Sequence, residues 1–265
     1  MRVLVINGSP HAEHGATGGV VADLLSRWQS RGYPLEVDTV QVADLLLGPA
    51  CSGCLTCMTD GEQLCPLRDV AAPIERLMLA ADIVVFASPI HSFQISAPMK
   101  RFIDQFAYLI HRPRMFDGTA VLMTTAAGAG HEGALDYLES AVRRWGFTVA
   151  GRLGVNGPGL DQPDYRAKVD RAIDEIAVEA VTVSRRTSPQ SPSLNDLIGF
   201  RVVRLLVRLT AETSPADEKF WAERGWFDSD YFVPVSIPVW RRLIADRVEA
   251  KIRKAIETGN GAPVR

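Results

Sequence analysis

Arg2-Val3-Leu4-Val5-Ile6-Asn7-Gly8-Ser9-Pro10 is an apolar run that stops in a turn-forming tripeptide, the pattern of a buried strand entering a loop. Val20, Val21, Leu24, Leu25 and Trp28 then recur at helical spacing, so the opening unit reads strand, loop, helix. Further strands are expected at 35–42, 83–87, 119–125 and about 148–155. Helices are expected through Met99, Phe102, Ile103, Phe106 and Ile110, over about 132–145, and over about 165–184. Ser96 and Pro98 mark the start of the first of these. Uninterrupted apolar strands joined by helices imply a parallel α/β sheet covered on both faces, with ligands at the carboxyl ends of the strands.

Composition narrows the function classes. With 47% hydrophobic and 23% charged residues the chain is globular, and disorder as its main state is excluded. Its 29 basic and 31 acidic residues leave a formal charge of −2, which offers no general attraction to nucleic acid. No apolar run has transmembrane length, and the four cysteines cluster between 51 and 65 rather than spreading into a disulfide framework, so a cytoplasmic protein is expected.

The loop Asn7 to Thr17 opens the first helix, where unpaired N–H groups and the helix dipole favour an anion. Gly8 permits close backbone approach, and the hydroxyls of Ser9 and Thr17 can donate to phosphate oxygens. Neither a Walker lysine motif nor G-x-G-x-x-G is present, which disfavours ATP and a fingerprint-bound dinucleotide and leaves a monophosphate. An ordinary β–α turn capped by Thr17 is the structural alternative.

A second loop reads Ser88-Pro89-Ile90-His91-Ser92-Phe93-Gln94-Ile95-Ser96-Ala97-Pro98-Met99-Lys100-Arg101-Phe102-Ile103-Asp104. Together with the GSP loop it resembles the NADPH-dependent FMN reductases of the flavodoxin-like superfamily, over about residues 1–185. The resemblance implies a three-layer α/β fold with a five-stranded parallel sheet of order 2-1-3-4-5 and FMN at its switch point. It implies phosphate contacts from Ser9, His11, Ala16 and Thr17, and ring contacts from Pro89, Ile90, His91, Ser92 and Phe93. The small-residue loop Thr125, Ala126, Ala127 and Gly128 is expected on the ring's other side. His11 and His91 depart from the Arg and Tyr that many relatives carry at those places.

Cys51, Cys54, Cys57 and Cys65 give C-x2-C-x2-C-x7-C, a spacing that wraps a loop round one centre and favours iron and sulfur over zinc. It resembles the motif of iron–sulfur flavoproteins, which implies a possible [4Fe-4S] cluster beside FMN. Zinc, a redox disulfide and free thiols remain open. Residues 186–194 read as a linker and 195–265 as a helical, aromatic-rich extension. Arg201, Arg204 and Arg208 on one side of its first helix could face a membrane surface or a partner, with packing on the domain or across a dimer the plainer reading.

The functional expectation is an FMN-dependent NAD(P)H oxidoreductase that passes electrons to a flavin, quinone or similar small acceptor as part of a homo-oligomer. The alternative is an iron–sulfur flavoprotein that relays single electrons between a ferredoxin-like donor and FMN. No side chain is named as catalytic, because in this chemistry the cofactor reacts and the protein positions it.

Overall fold

The computed structural model describes residues 1–44 and 49–258, so 259–265 of the expected extension lie outside the described residues. Contacts divide the chain into two compact units, Met1–Gly53 with Pro66–Arg186, and Cys54–Cys65 with Thr187–Arg265.

The first unit carries β1 (Arg2–Asn7), β2 (Glu36–Gln41), β3 (Ile83–His91), the two-residue β4 (Gln94–Ile95), β5 (Thr119–Ala126) and β6 (Thr148–Asn156). The long strands are parallel in the order β2-β1-β3-β5-β6, which is 2-1-3-4-5 when the five are counted alone. Ile83 to Ala87 are fully buried because helices cover both faces of that central strand, which is why the run is unbroken by polar residues. β2 is the edge, and its residues 36–39 are exposed.

On one face α1 (Ala16–Ser30) and α6 (Pro163–Ser184) share a core with Val3, Val5, Val85, Val121 and Val155. Trp28 anchors it, its indole N–H donating to Ala177 O at 2.9 Å. The other helices of the unit are α3 (Arg68–Ala80), α4 (Ala97–Gln105) and α5 (His131–Trp145), and Phe86, Phe102, Phe106 and Trp145 form a cluster of edge-on and tilted rings.

Two elements differ from the sequence expectation, and a third, α3, lay outside it. The helix expected to run through Ile110 ends at Gln105, and Ala107–Ile110 tighten into a 3-10 turn that buries Tyr108 and Leu109. α3 forms despite Pro73 in its interior, because Ala71, Ile74 and Met78 give it a buried stripe. Beyond the expected strand end, β3 continues to His91 and folds back on β4 as a hairpin.

The second unit holds a short α2 (Thr56–Thr59), α7 (Leu194–Leu209), α8 (Pro215–Glu223) and α9 (Val239–Glu257). A capping box at Ser193 and Asp196 starts α7. Phe200, Trp221, Trp226 and Phe232 pack ring on ring, with centroids 4.7 Å apart for Phe200 and Phe232. Two of the three arginines of α7, Arg201 and Arg204, are turned inward, while Arg208 is exposed. Arg201 pairs with Asp230 at 3.2 Å and Asp246 at 3.1 Å, Arg204 with Glu249 at 2.6 Å, and Arg208 donates to Phe227 O at 2.8 Å. Arg201 and Arg204 are thus spent on internal ion pairs, and only Arg208 remains of the outward basic face that the spacing suggested. Among the described residues no helix is long and apolar enough to cross a membrane.

Candidate functional site

The carboxyl ends of β1, β3, β5 and β6 converge where the first helix begins. Asn7, the last residue of β1, is buried and ties the loop that follows to itself. Its amide donates to Ala12 O at 3.1 Å and its carbonyl oxygen accepts the Ser9 N–H at 3.0 Å. The Gln41 amide at the end of β2 donates to Ser9 O. The Ser9 hydroxyl accepts the His11 N–H at 3.2 Å. A Cβ on Gly15 would stand 3.5 Å from Ser9 Oγ, which places that hydroxyl at the entry to α1.

Gly15, not Thr17, is the N-cap of α1. It is extended and brings no capping side chain, so the first-turn N–H groups of α1 are left for an external acceptor. Gly18 is obligatory there, since a Cβ would lie 2.5 Å from Glu13 Cα and 2.7 Å from Ala12 O. Thr17 is buried in the first turn, and its hydroxyl meets that of Thr125 at 2.6 Å. Two hydroxyls bonded to each other use one of their two protons, so the pair keeps one to donate elsewhere.

The β3 loop is locked to the β1 loop. The Ser96 hydroxyl donates to Gly8 O at 2.7 Å and accepts the Met99 N–H at 3.3 Å as the cap of α4, while its own N–H donates to Ser88 Oγ at 3.0 Å. A Cβ on Gly8 would fall 2.9 Å from Met99 Cβ, so this junction accepts only glycine without displacement. At the hairpin tip Ser92 and Phe93 both have positive φ, 51° and 64°, the handedness of a two-residue turn normally given to Asn and Gly. Phe93 is 75% exposed on that strained tip, beside exposed His91 and half-buried Pro89 and Ile90.

The β5 loop passes close by. A Cβ on Gly130, whose φ is 103°, would meet Phe93 Cα at 3.0 Å and Ile90 Cγ2 at 3.1 Å, so the β3 and β5 loops touch. Ala127 and Gly128 are exposed, and nothing lies within 4 Å of a Cβ on Gly128. The β6 loop closes the group: a Cβ on Gly157 would stand 3.4 Å from Ala16 Cβ and 3.8 Å from Ala126 O. His131, first residue of α5, lies over Gly154 with Nδ1 3.0 Å from Thr124 Oγ1, and desolvation pushes its pKa below the usual 6.5.

The structure therefore gathers Ser9, Ala16, Thr17 and Thr125 round the α1 N-terminus and places Pro89 to Phe93 beside the β5 loop. His11 is exposed at the rim. Sequence reasoning missed Asn7, Gln41, Gly15 and Gly18, which shape the loop without facing a ligand. Only Asn7 carried a signal, as an Asn at a strand end followed by Gly and Ser.

No disulfide joins Cys51, Cys54, Cys57 and Cys65. Cys51 belongs to the first unit and Cys54, Cys57 and Cys65 to the second. Leu55, between two of them, has a left-handed backbone at φ 62°, and the Cys54 thiol donates to Thr56 Oγ1 at 3.3 Å. Among the described residues no three His, Cys, Asp or Glu side chains come together to hold a metal ion.

Comparison with known proteins supplies the context. An iron–sulfur flavoprotein of Archaeoglobus fulgidus is 28% identical over 229 residues, covering 85% of this chain and all of that protein. An FMN-dependent NADH:quinone oxidoreductase of Shewanella denitrificans is 27% identical over 172 residues, 58% of this chain and 82% of that one. The crystal structure of RosB with bound 8-demethyl-8-formylriboflavin-5'-phosphate shares the fold, with a TM-score of 0.54 at 14% identity over 90% of this chain and 92% of that one. The sequence pattern that describes the NADPH-dependent FMN reductases matches residues 1–157. More than half of the chain thus fits that description, and the protein belongs to the NADPH-dependent FMN reductase family and is an oxidoreductase.

Proposed function

We propose that residues 1–185 bind FMN and that the enzyme takes reducing equivalents from NAD(P)H and delivers them to a quinone or a comparable small acceptor. The observation that carries this reading is the uncapped N-terminus of α1, with the spare proton of the Thr17–Thr125 pair and the Ser9 hydroxyl beside it. Such a set suits a phosphate monoester: backbone N–H groups, hydroxyl donors and the positive end of a helix, with no lysine or arginine in the loop. Ser9, His11, Ala16 and Thr17 are assigned to the phosphate. Pro89, Ile90, His91, Ser92 and Phe93, with Thr125, Ala126, Ala127 and Gly128, are assigned to the ring.

When bound, FMN supplies a centre that accepts a hydride and passes electrons on singly or in pairs. The chain's own part is positional. The Ser96 bridge to Gly8 fixes the β3 loop against the phosphate loop, and Asn7 holds the latter in shape. A quinone acceptor is suggested by the name of the Shewanella relative. The test is anaerobic: NADH or NADPH should bleach the bound flavin, and a soluble quinone should restore it. Bleaching by neither nucleotide would refute the reductase.

A second reading is favoured by the Archaeoglobus relative and the cysteine spacing, in which Cys51, Cys54, Cys57 and Cys65 hold a [4Fe-4S] cluster fed by a ferredoxin-like donor. Iron and sulfide analysis of anaerobically purified protein decides it: four irons and four sulfides per chain would support a cluster, and their absence would leave the reductase alone. Residues 186–194 are assigned as linker and 195–265 as an extension, and the assembly is taken to be a homo-oligomer, which sedimentation tests.

A further inference from the structure

The outward face of α9 has a composition unlike the rest of the surface. Trp240, Leu243, Arg247, Lys251 and Lys254 follow at i, i+3, i+7, i+11 and i+14, one stripe along a helix of 3.6 residues per turn, and all five are exposed. Val239 and Trp240 are 68% and 54% exposed and Leu243 is 50%, three large apolar side chains in the first turn and a half. The opposite side of the helix is the packed one, where Ala245 and Glu249 are buried.

The charges on this helix are sorted by face. Asp246 is turned to Arg201 and Glu249 to Arg204 and Arg253, while Arg242 meets Asp230. Among the described residues Arg247, Lys251 and Lys254 take no part in an ion pair, and no acid lies on their stripe. Glu257 stands at the last residue of the helix, off that line. The face therefore shows an apolar, indole-bearing start and three uncompensated cations behind it. The indole is held from behind by Arg241, whose guanidinium lies 5.2 Å from the ring centroid and donates to Pro192 O at 2.8 Å.

We propose that this face docks on an anionic phospholipid surface, with Val239, Trp240 and Leu243 entering the headgroup boundary and Arg247, Lys251 and Lys254 meeting the lipid phosphates. Charge complementarity selects the occupant, since cations alone beside exposed aromatic and aliphatic side chains match a surface that is negative outside and apolar beneath. One helix stripe is also narrow for a stable protein contact, which calls for about 800 Å² from each partner. A lipid surface needs no matching counter-shape. This inference is independent of the redox reading, because lipid binding is measured without turnover.

The experiment uses the full chain with vesicles of phosphatidylglycerol and phosphatidylcholine in equal parts, against vesicles of phosphatidylcholine alone. Trp28, Trp145, Trp221 and Trp226 are all buried, so a blue shift in emission reports Trp240. The expected result is co-sedimentation with the anionic vesicles only, a blue shift on binding, and loss of both in high salt. Lys251→Gln with Lys254→Gln should weaken binding by about thirtyfold. Trp240→Ala with Leu243→Ala should weaken it as well while leaving the urea midpoint in place. Three results would overturn the proposal: no binding of the unaltered protein to anionic vesicles at low salt, binding indifferent to both double variants, or a change in sedimentation of the lipid-free Trp240→Ala, Leu243→Ala protein, which would make the face a contact between copies.

Discussion

Thr17 and Thr125 sit on α1 and β5, 108 residues apart, and share a hydrogen bond in which either hydroxyl can be the donor. That ambiguity has a consequence. Replacing one of them with valine leaves the other free to donate to a phosphate oxygen, whereas replacing both removes the donor. Thr17→Val and Thr125→Val are each expected to raise the FMN dissociation constant only a few-fold. The double variant should raise it by about 10- to 100-fold, the value of one hydrogen bond to a charged group. Fluorescence titration of the four proteins checks the non-additivity. Gly18→Ala acts differently, forcing the 3-10 turn off the helix. It should cost roughly 1–3 kcal/mol of stability by urea denaturation and weaken FMN further. His131 adds a pH effect. Its folded pKa lies below the unfolded value, so the unfolded chain binds the extra proton and stability is lost as pH falls below about 6.5. His131→Gln should flatten that fall in the urea midpoint between pH 7 and pH 5.

At the scale of elements, Ser96 has two tasks, capping α4 and satisfying Gly8 O, so Ser96→Ala should destabilise by about 1–3 kcal/mol, seen as a lower urea midpoint. Much of this architecture was legible in the sequence, because β1, β3 and β5 are mostly apolar, buried runs and the helices around Trp28 and Trp145 are periodic. What escaped was decided by tertiary contact. α3, for which no helix was expected, keeps Pro73 in its interior because its buried stripe outweighs one missing hydrogen bond. The stretch after Gln105 kept a helical period on paper, but burial of Tyr108 and Leu109 tightened it. The β3–β4 hairpin was invisible because Ser92 and Phe93 are not the Asn and Gly that a turn with two positive φ angles usually carries. In the candidate site the positions proposed to face the ligand come from resemblance. Asn7, Gln41 and Gly15 could not, since their roles lie in hydrogen bonds and in an absent cap.

The whole molecule pairs a flavodoxin-like unit with a second unit whose core is aromatic and whose ion pairs are partly buried. The arginine spacing of α7 was visible in the sequence, but its direction depended on Asp230, Asp246 and Glu249 lying within reach. Glu249→Ala would strand a largely buried Arg204 and should destabilise by roughly 3–5 kcal/mol, read as a lower unfolding midpoint. The outward face of α9 carries the surface chemistry that α7 does not. For the first unit, everything returns to the proposed phosphate cradle at the start of α1. Its most direct test is a titration of the purified chain with FMN, followed by quenching of flavin fluorescence, in parallel with the Thr17→Val, Thr125→Val double variant. The account predicts saturable one-to-one binding by the unaltered protein and a clear loss in the variant. A colourless protein that leaves FMN fluorescence unchanged, or one whose affinity is indifferent to removal of both hydroxyls, would contradict it.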